Sequence, residues 1–583
     1  MSQITNLKSQ TTNRTATPFQ MPMFLSWVPK RIQPWIYILQ VLCIQFSCGV
    51  YLGAMEAVRG TTALQLEDLL MLLYAGLAGM AVWFPMLFRM KFRFTNQQLL
   101  ITSAVVIAVC NFITMRTTNM AILLPVCFLA GVAKIQGTFE CMSNIQLWMT
   151  PERDFGIFFP ILHIILLTAI TGSAWLAAVV AFHLSWQMMH VLTIGTMAFV
   201  VLVQLLLCQP WCPMPQRMPL KGIDIPTGLL ISLLMLMISY FLVYGDYLMW
   251  LQSPRLRWIV ALSFILLAFI LYRLKTVEKP YISLEIFKYK NVLAILLVTT
   301  IAELLLGAEH TLEEIYWSEV RGLEEHTKTE LCLWSLSGVY AGVLITLYWL
   351  GHARWPKKRK ENHTFHAQPW KVWKLFAIGF GCILVYSLWM YFNLDVNVPI
   401  DQYRLGLAFR GCAYAILASS LMWSLHESVH DLEHFFMALF IFNVIHMYLA
   451  GASGYGLYTT LFQHFMADNM SRYGAYLTLT GLGQEQLSTF NYPYLQIVPL
   501  GRELSTLSIS VMSVTLKQIF GQIIWVSAFM TSAFLLLDIP RVRTGIEKVP
   551  YWPVYGIKML SRLRTSKAGR SQGVDVSRYS KGL

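Results

Sequence analysis

Charge is scarce in this chain: of 583 residues only 13% are Asp, Glu, Lys or Arg, with 30 acidic against 44 basic side chains. A soluble domain carries about a quarter charged residues, so this chain cannot cover a water-exposed surface. That excludes a cytosolic enzyme, and the low polarity excludes a disordered hub. The ten cysteines follow no framework spacing, which excludes a disulfide-stapled secreted module. Cys43, Cys48, Cys110, Cys127, Cys141, Cys332, Cys382 and Cys412 sit in apolar runs, where a thiol behaves as a small hydrophobe, and Cys208 and Cys212 are expected to be neither a metal nor a redox pair. No G-x-x-x-x-G-K-[ST] string occurs, so any ATP would have to be used by another chain. There is no short repeat period, and the first apolar run is long and lacks a small-residue cleavage site, unlike a cleaved signal peptide.

Apolar residues are what is abundant. They make up 56% of the chain, and the mean hydropathy is +0.55, which describes a polytopic helical membrane protein. Runs of about 20 apolar residues, the length that crosses a bilayer core, predict fourteen spans. They lie near 34–54, 66–88, 98–116, 120–147, 157–181, 187–208, 225–245, 256–274, 291–308, 331–351, 371–392, 404–425, 435–456 and 514–537.

Basic residues orient these spans, because short cytoplasmic loops concentrate Lys and Arg. Arg89, Lys91 and Arg93 follow the second span. Arg273, Lys275, Lys279, Lys288 and Lys290 follow the eighth, and Arg354, Lys357, Lys358, Arg359 and Lys360 follow the tenth. The connection after the ninth is acidic, with Glu309, Glu313, Glu314, Glu319, Glu324, Glu325 and Glu330, while the tail carries Arg541, Arg543, Lys548, Lys558, Arg562 and Arg564. Both termini are therefore expected on the cytoplasmic side of a plasma or inner membrane, with Glu313 and the 457–513 connection outside. The net charge of +14 is read as topology, not as nucleic-acid binding. The 457–513 stretch mixes apolar and polar residues and is expected to form interfacial helices over the outer mouth.

Between Tyr244 and Asn291 the chain reads Y-G-D-Y-L-M-W-L-Q-S-P-R-L-R-W and then V-E-K-P-Y-I-S-L-E-I-F-K-Y-K-N. These fragments resemble the aromatic turn and P-x-x-x-L-x-x-F-x-x-x-N linker of one family, the fourteen-span drug:proton antiporters of the major facilitator superfamily, EmrB/QacA type. L-S-W-Q at Leu184 to Gln187, T-P-E-R-D-F-G at Thr150 to Gly156, A-F-R-G at Ala408 to Gly411 and S-A-F at Ser527 to Phe529 extend the likeness to about 66–540. The departures are specific. The loop expected to read D-R-x-G-R-R is F-R-M-K-F-R-F, keeping Arg89 and Arg93 but no acid or glycine. The Arg of the fourth-helix motif is Cys127, although Gly131 is kept. The helix-five Gly-Pro signature is reduced to Ala169, Thr171, Gly172, Ser173 and Ala174.

The resemblance implies an all-α fold of two six-helix bundles with two inserted central helices. The domains expected are a tail over 1–33, a first bundle over 34–208, the inserted pair and linkers over 209–290, a second bundle over 291–537, and a basic tail over 538–583. It also implies that spans one, four, nine and twelve line a cavity.

A charge inside a bilayer is costly and by default functional. Lys134 and Glu140 lie on span four, Glu303 on span nine and Arg410 on span twelve, all on implied cavity helices. At 1.5 Å per residue, Glu303 is roughly 18 Å above the inner end of its span and Arg410 roughly 9 Å below the outer end of its own. In a core about 30 Å thick those depths nearly coincide. A Glu303–Arg410 pair is the expectation, as a proton carrier tuned by a guanidinium or as a static tie between helices. On span four Gln136, Glu140 and Asn144 share a face, and Lys134 projects about 120° away. Lys134 shares its face with Cys127 and Gly131, and is expected to stand in for the missing Arg charge two turns along. His163 and His446 are expected to be packed core residues, although each has a side chain suited to proton transfer.

One string points to an enzyme instead. His426, Glu427, Ser428, Val429 and His430 spell H-E-x-x-H, and His434 extends the face, a pattern that can hold zinc with Glu as general base. It falls between spans twelve and thirteen, where the resembled family has a loop motif, so an intramembrane zinc peptidase ranks second and no metal or other cofactor is expected. A non-transporting descendant of the fold ranks third. The leading expectation is proton-coupled efflux of drug-like or amphipathic molecules, by analogy with relatives that can deliver substrate to a periplasmic adaptor and outer-membrane duct.

Overall fold

The computed structural model describes residues 24–48, 53–149, 155–209, 224–278, 280–354, 369–429, 432–480 and 497–536. Among these residues no β-sheet forms, and one isolated bridge joins Phe24 to Cys208. Within the described residues, thirteen helices are long and apolar enough to cross a membrane. The expected first span is interrupted: α1 is Gln33–Gln45, a 3₁₀ turn follows at Phe46–Cys48, and residues 49–52 lie outside the described set. The remaining thirteen expected spans are matched by fourteen helices, the span expected near 435–456 being divided in two by a π turn at Val444–Leu449. In order they are α2 Leu66–Trp83, α3 Asn96–Thr114, α4 Met120–Met149, α5 Phe155–His183, α6 Trp186–Leu207, α7 Ile225–Tyr244, α8 Pro254–Thr276 and α9 Lys290–Ala308. After these come α10 Trp334–Arg354, α11 Pro369–Asn393, α12 Tyr403–Ser428, α13 Leu432–Asn443, α14 Ala450–Thr480 and α15 Ile497–Leu536.

Their starts follow from local chemistry. Gln65 and Asp68 make a reciprocal capping box before α2, and Thr95 and Gln98 make another before α3, each satisfying amides that open a helix. Asp224 caps α7 ahead of a proline in its first turn, and α8 opens on Pro254, whose missing N–H costs nothing there.

Three of the helices run further than the apolar pattern indicates. The ninth span does not stop at Ala308: wide π turns at Glu309–Glu313 and Tyr316–Val320 carry it on to Val320, with Leu312, Tyr316, Trp317 and Val320 buried. Glu313, expected in an outer loop, is thereby a buried helix residue. The 457–513 connection is likewise mostly helix, since α14 reaches Thr480 and α15 begins at Ile497; residues 481–496 lie outside the described set. Gln463, His464, Asp468 and Asn469 end the apolar run without breaking the helix. Asn469 finds partners on α15, donating to Thr515 Oγ1 at 3.0 Å and Gln518 Oε1 at 3.2 Å. The 40 residues of α15 span roughly 60 Å, about twice the hydrocarbon thickness.

The chain divides into two compact units. The first comprises Met1–Ile282, Leu323–Leu336 and Met447–Gly456; the second comprises Ser283–Gly322, Ser337–His446 and Leu457–Leu583. In the first, α2, α3 and α1 pack on α4, and α6 packs on α3. The inserted pair belongs to this unit: Arg273 on α8 donates to Asp224 at 2.7 Å and to Thr227 at 2.9 Å, and Tyr281 donates to the Val82 carbonyl. Burial alone would raise the Asp224 carboxyl, but the bonds from Thr227 and Arg273 hold it below the usual carboxylate range. The apolar face of α8 is almost entirely exposed, as a lipid-facing helix should be. In the second unit α11 packs on α12 and α15, and α9 packs on α12.

The same device recurs in each unit. A Cβ on Gly131 of α4 would lie 1.9 Å from the Gly76 carbonyl oxygen of α2, and one on Gly338 of α10 would lie 1.6 Å from the Ala408 carbonyl of α12. Only glycine allows those backbones to touch, which is how membrane helices pack without a hydrophobic drive between them. Gly172 makes no such contact; near it, Gly53 abuts the Ala174 carbonyl instead. Gly131→Leu and Gly338→Leu are each expected to cost about 1–3 kcal/mol or more through overpacking, read as loss of monodisperse protein on size exclusion. Gly172→Ala, meeting nothing within 4 Å, should elute like the parent; equal behaviour of all three would refute the packing argument.

Candidate functional site

Two buried acid–base pairs lie along the ninth span, both within the second unit. The first is Glu303 on α9. Its Oε1 is 2.5 Å from Nδ1 of His446, which sits in the π turn Val444–Leu449 between α13 and α14. The His446 side chain is 6% exposed and that of Glu303 10%. On its far side the imidazole Nε2 is 3.0 Å from the hydroxyl of Tyr414 on α12. The ring is also held by Tyr414 and Phe442, each with centroids 5.5 Å away. Tyr458 donates to the Leu304 carbonyl at 2.8 Å, fixing α9 beside the pair.

The second pair is Glu313 with Arg410 of α12. Arg410 Nη1 donates to Glu313 Oε2, and Tyr386 of α11 donates to the other oxygen, so the carboxylate is charge-paired and hydrogen-bonded on both sides. Glu303 and Glu313 are ten residues apart, roughly 15 Å along the helix. The expected Glu303–Arg410 pair is thus corrected: the ninth span continues far enough to bring Glu313 to Arg410, and Glu303 takes His446.

In the first unit Lys134 and Glu140 serve different neighbours. Lys134 is buried and donates to the Gln45 carbonyl at 3.2 Å, while Gln45 donates to Thr138 at 2.9 Å. A lysine at the last turn of α1 meets the carbonyl end of the helix dipole. Glu140 is buried and accepts from Asn96 at 3.1 Å and Gln136 at 3.4 Å, with Lys91 Nζ at 3.5 Å. Gln136 also accepts from Trp83 at 2.9 Å. Lys91 lies between Arg89 and Arg93, so the altered loop motif still supplies a cation to the base of α4. Cys127 is buried on α4 one turn before Gly131.

The remaining candidates are less concentrated. His163 is buried and bonds the Phe159 carbonyl at 2.7 Å, the packed state expected of it. His426 Nδ1 is 3.7 Å from Glu427, while His430 lies outside the described residues, as do Cys212, Lys358 and the tail with Arg562. Among the described residues no three His, Cys, Asp or Glu side chains converge on a metal-sized point. His434 lies 3.8 Å from Glu285, whose carboxyl is held below its usual range by the neighbouring Lys288 ammonium.

No family model matches the sequence, and comparison with curated proteins gives no match. Solved structures do match. The nucleoside transporter NupG aligns with a TM-score of 0.51 at 14% identity, covering 87% of this chain and 99% of that one. A proton dependent oligopeptide transporter aligns with 0.51 at 11% identity, over 88% and 99%. The peptide transporter POT aligns with 0.50 at 11%, over 87% and 95%. The chain has the major facilitator fold. At these identities the likeness is one of fold, and it includes a multi-pass membrane architecture but not the fourteen-span antiporter group.

Proposed function

We propose that this protein is a secondary active transporter of the plasma or inner membrane that moves drug-like or amphipathic small molecules by alternating access, with protons as the coupling ion. One observation carries the reading: a carboxylate at mid-span, Glu303, is buried and bonded to an imidazole, a side chain able to take up and release a proton, in a fold shared with solved transporters. Static cross-linking of helices needs no titratable partner, and the same span already has a permanent one in Glu313–Arg410. Lys134 and Glu140 act in this reading as fasteners of the first unit. The outward direction, the cytoplasmic termini and delivery to a periplasmic adaptor rest on loop charge and on the sequence resemblance alone.

The test is accumulation of a fluorescent amphipathic cation such as ethidium in cells with and without the gene, under an imposed pH gradient. Cells carrying it are expected to hold several-fold less dye when the outside is acid, and to lose that advantage when the gradient is collapsed. Equal accumulation across a panel of amphipathic cations, gradient or none, would refute proton-driven export of this substrate class.

A further inference from the structure

Resting on that proton-coupled reading and deepening it, we infer that His446, not Arg410, is the cationic partner that sets the proton affinity of Glu303, and that Tyr414 completes a Glu303–His446–Tyr414 relay.

The geometry distinguishes the two candidates. Arg410 is one helical turn from Tyr414 on α12, yet its guanidinium is turned to Glu313. A guanidinium never releases its proton in a protein, and Glu313, held by Arg410 and Tyr386 together, has both oxygens engaged. Glu303 has one oxygen on imidazole Nδ1 and, among the described residues, no bond to its second oxygen, which can take a proton. An imidazole changes charge in the range that membrane gradients cover. The groups facing the pair are known on each packed element. From α12 come Tyr414 and, a turn away, Arg410; from α11, Tyr386, directed to Glu313; from α14, Tyr458, directed to the Leu304 carbonyl; and from α13, one turn before His446, Phe442. No second carboxylate or lysine is bonded to Glu303 or His446 among the described residues.

The relay balances as follows. In the resting pair one proton lies between Nδ1 and Oε1. A second proton arriving at Oε2 converts the carboxylate to a carboxylic acid, leaving an imidazolium whose Nδ1–H no longer faces an anion. Its Nε2–H then donates to the Tyr414 oxygen, and loss of either proton regenerates the pair. His446 lies in a π turn, and the ninth span has π turns beyond Glu303. Such π turns are rare and found frequently at functional sites, and each side of the pair carries one. The two protons belong to the pair, and it titrates as a unit.

The test uses the full chain in lipid nanodiscs, with no substrate and no gradient, and infrared difference spectra recorded across a pH series. A carboxylic acid band that Glu303→Gln removes assigns the titration. His446→Leu deletes both the cation and the donor, so the midpoint of that band is expected to rise by at least about one pH unit, a tenfold gain in proton affinity. His446→Gln keeps a neutral donor and is expected to give a smaller rise. It also serves as the readout if the leucine variant does not fold. Arg410→Lys keeps its charge on Glu313 and should leave the midpoint in place. The inference is overturned if neither His446 variant moves the band, or if Arg410→Lys moves it and they do not. Because no dye is transported, a normal shift alongside absent ethidium export would refute the transport reading and not the relay.

Discussion

Arg410→Ala is expected to eliminate folded protein, the largest structural effect of any single change in the second unit. The substitution leaves Glu313, 4% exposed, as an uncompensated charge in the span. Breaking a buried pair from one side costs about 3–5 kcal/mol, a large share of the 5–15 kcal/mol that typically separates folded from unfolded protein. Tyr386 cannot offset this, since one neutral hydroxyl does not replace a guanidinium. Removing both charges should do less harm: Glu313→Gln with Arg410→Gln leaves two amides that can bond each other and Tyr386. The measurement is the yield of monodisperse protein on size exclusion together with the thermal midpoint in detergent. The single variant should be nearly absent and the double variant recovered. If Arg410→Ala alone matches the parent, Glu313 is not held as a buried anion and the role given to this pair is wrong.

The membrane fold was legible because lipid imposes a simple rule, namely that each crossing must be a long apolar helix. The positions of α2 to α12 follow the apolar runs closely for that reason. The rule fails where a helix continues through polar residues. Glu309, Glu313, Glu314 and Glu319 read as an acidic loop, yet Leu312, Tyr316 and Trp317 face inward between them and the helix carries on in π turns. Hydropathy averages such a segment to neutral, and no sequence pattern announces a π turn. The same averaging hid the extensions of α14 and α15, where Asn469 and Thr515 satisfy each other.

The candidate site was half legible. Glu303 and Arg410 stood out because charge in lipid is rare, and both are buried in ion pairs. Their assignment to one another came from depth, and depth says nothing of azimuth around the helix. The same arithmetic applied to His446, eleven residues into its span, gives roughly 17 Å, as good a match to Glu303 as Arg410. In the sequence His446 instead ranks as a packed core residue, because a lone histidine in a span carries no sign of its partner. Lys134 and Glu140 were separated by helical angle in the sequence, and the structure gives them neighbours on different elements.

The two pairs on the ninth span divide the labour that sequence reasoning gave to one. Glu313–Arg410 carries fixed charge and ties α9's continuation to α12 and α11, whereas Glu303–His446 joins α9 to the π turn through groups that both titrate. In the proposed transport reading both properties belong in one bundle, because a helix that changes its proton content must still be held in register while it does so.

Glu303→Gln is therefore expected to fold normally and to lose coupling. Glutamine matches glutamate in volume, and its amide can still meet His446 and leaves no charge unpaired, so yield and thermal midpoint should stay near the parent's. What it cannot do is titrate. A gradient of one pH unit supplies about 1.4 kcal/mol per proton, enough for up to tenfold in the steady-state ratio of an exported solute when one proton is exchanged per cycle. Proteoliposomes loaded with the parent should show that dependence with ethidium as the probe, and those with Glu303→Gln should show none at any gradient, while equilibrium binding of the dye persists. His446→Gln is expected to fall between, keeping gradient-driven movement but with its pH optimum displaced, because Glu303 still titrates without its cation. Normal gradient dependence in Glu303→Gln would reduce the Glu303–His446 pair to a structural tie like its neighbour. Glu140, the buried carboxylate on α4, would then be the next to test, with Lys91 and Asn96 as its neighbours.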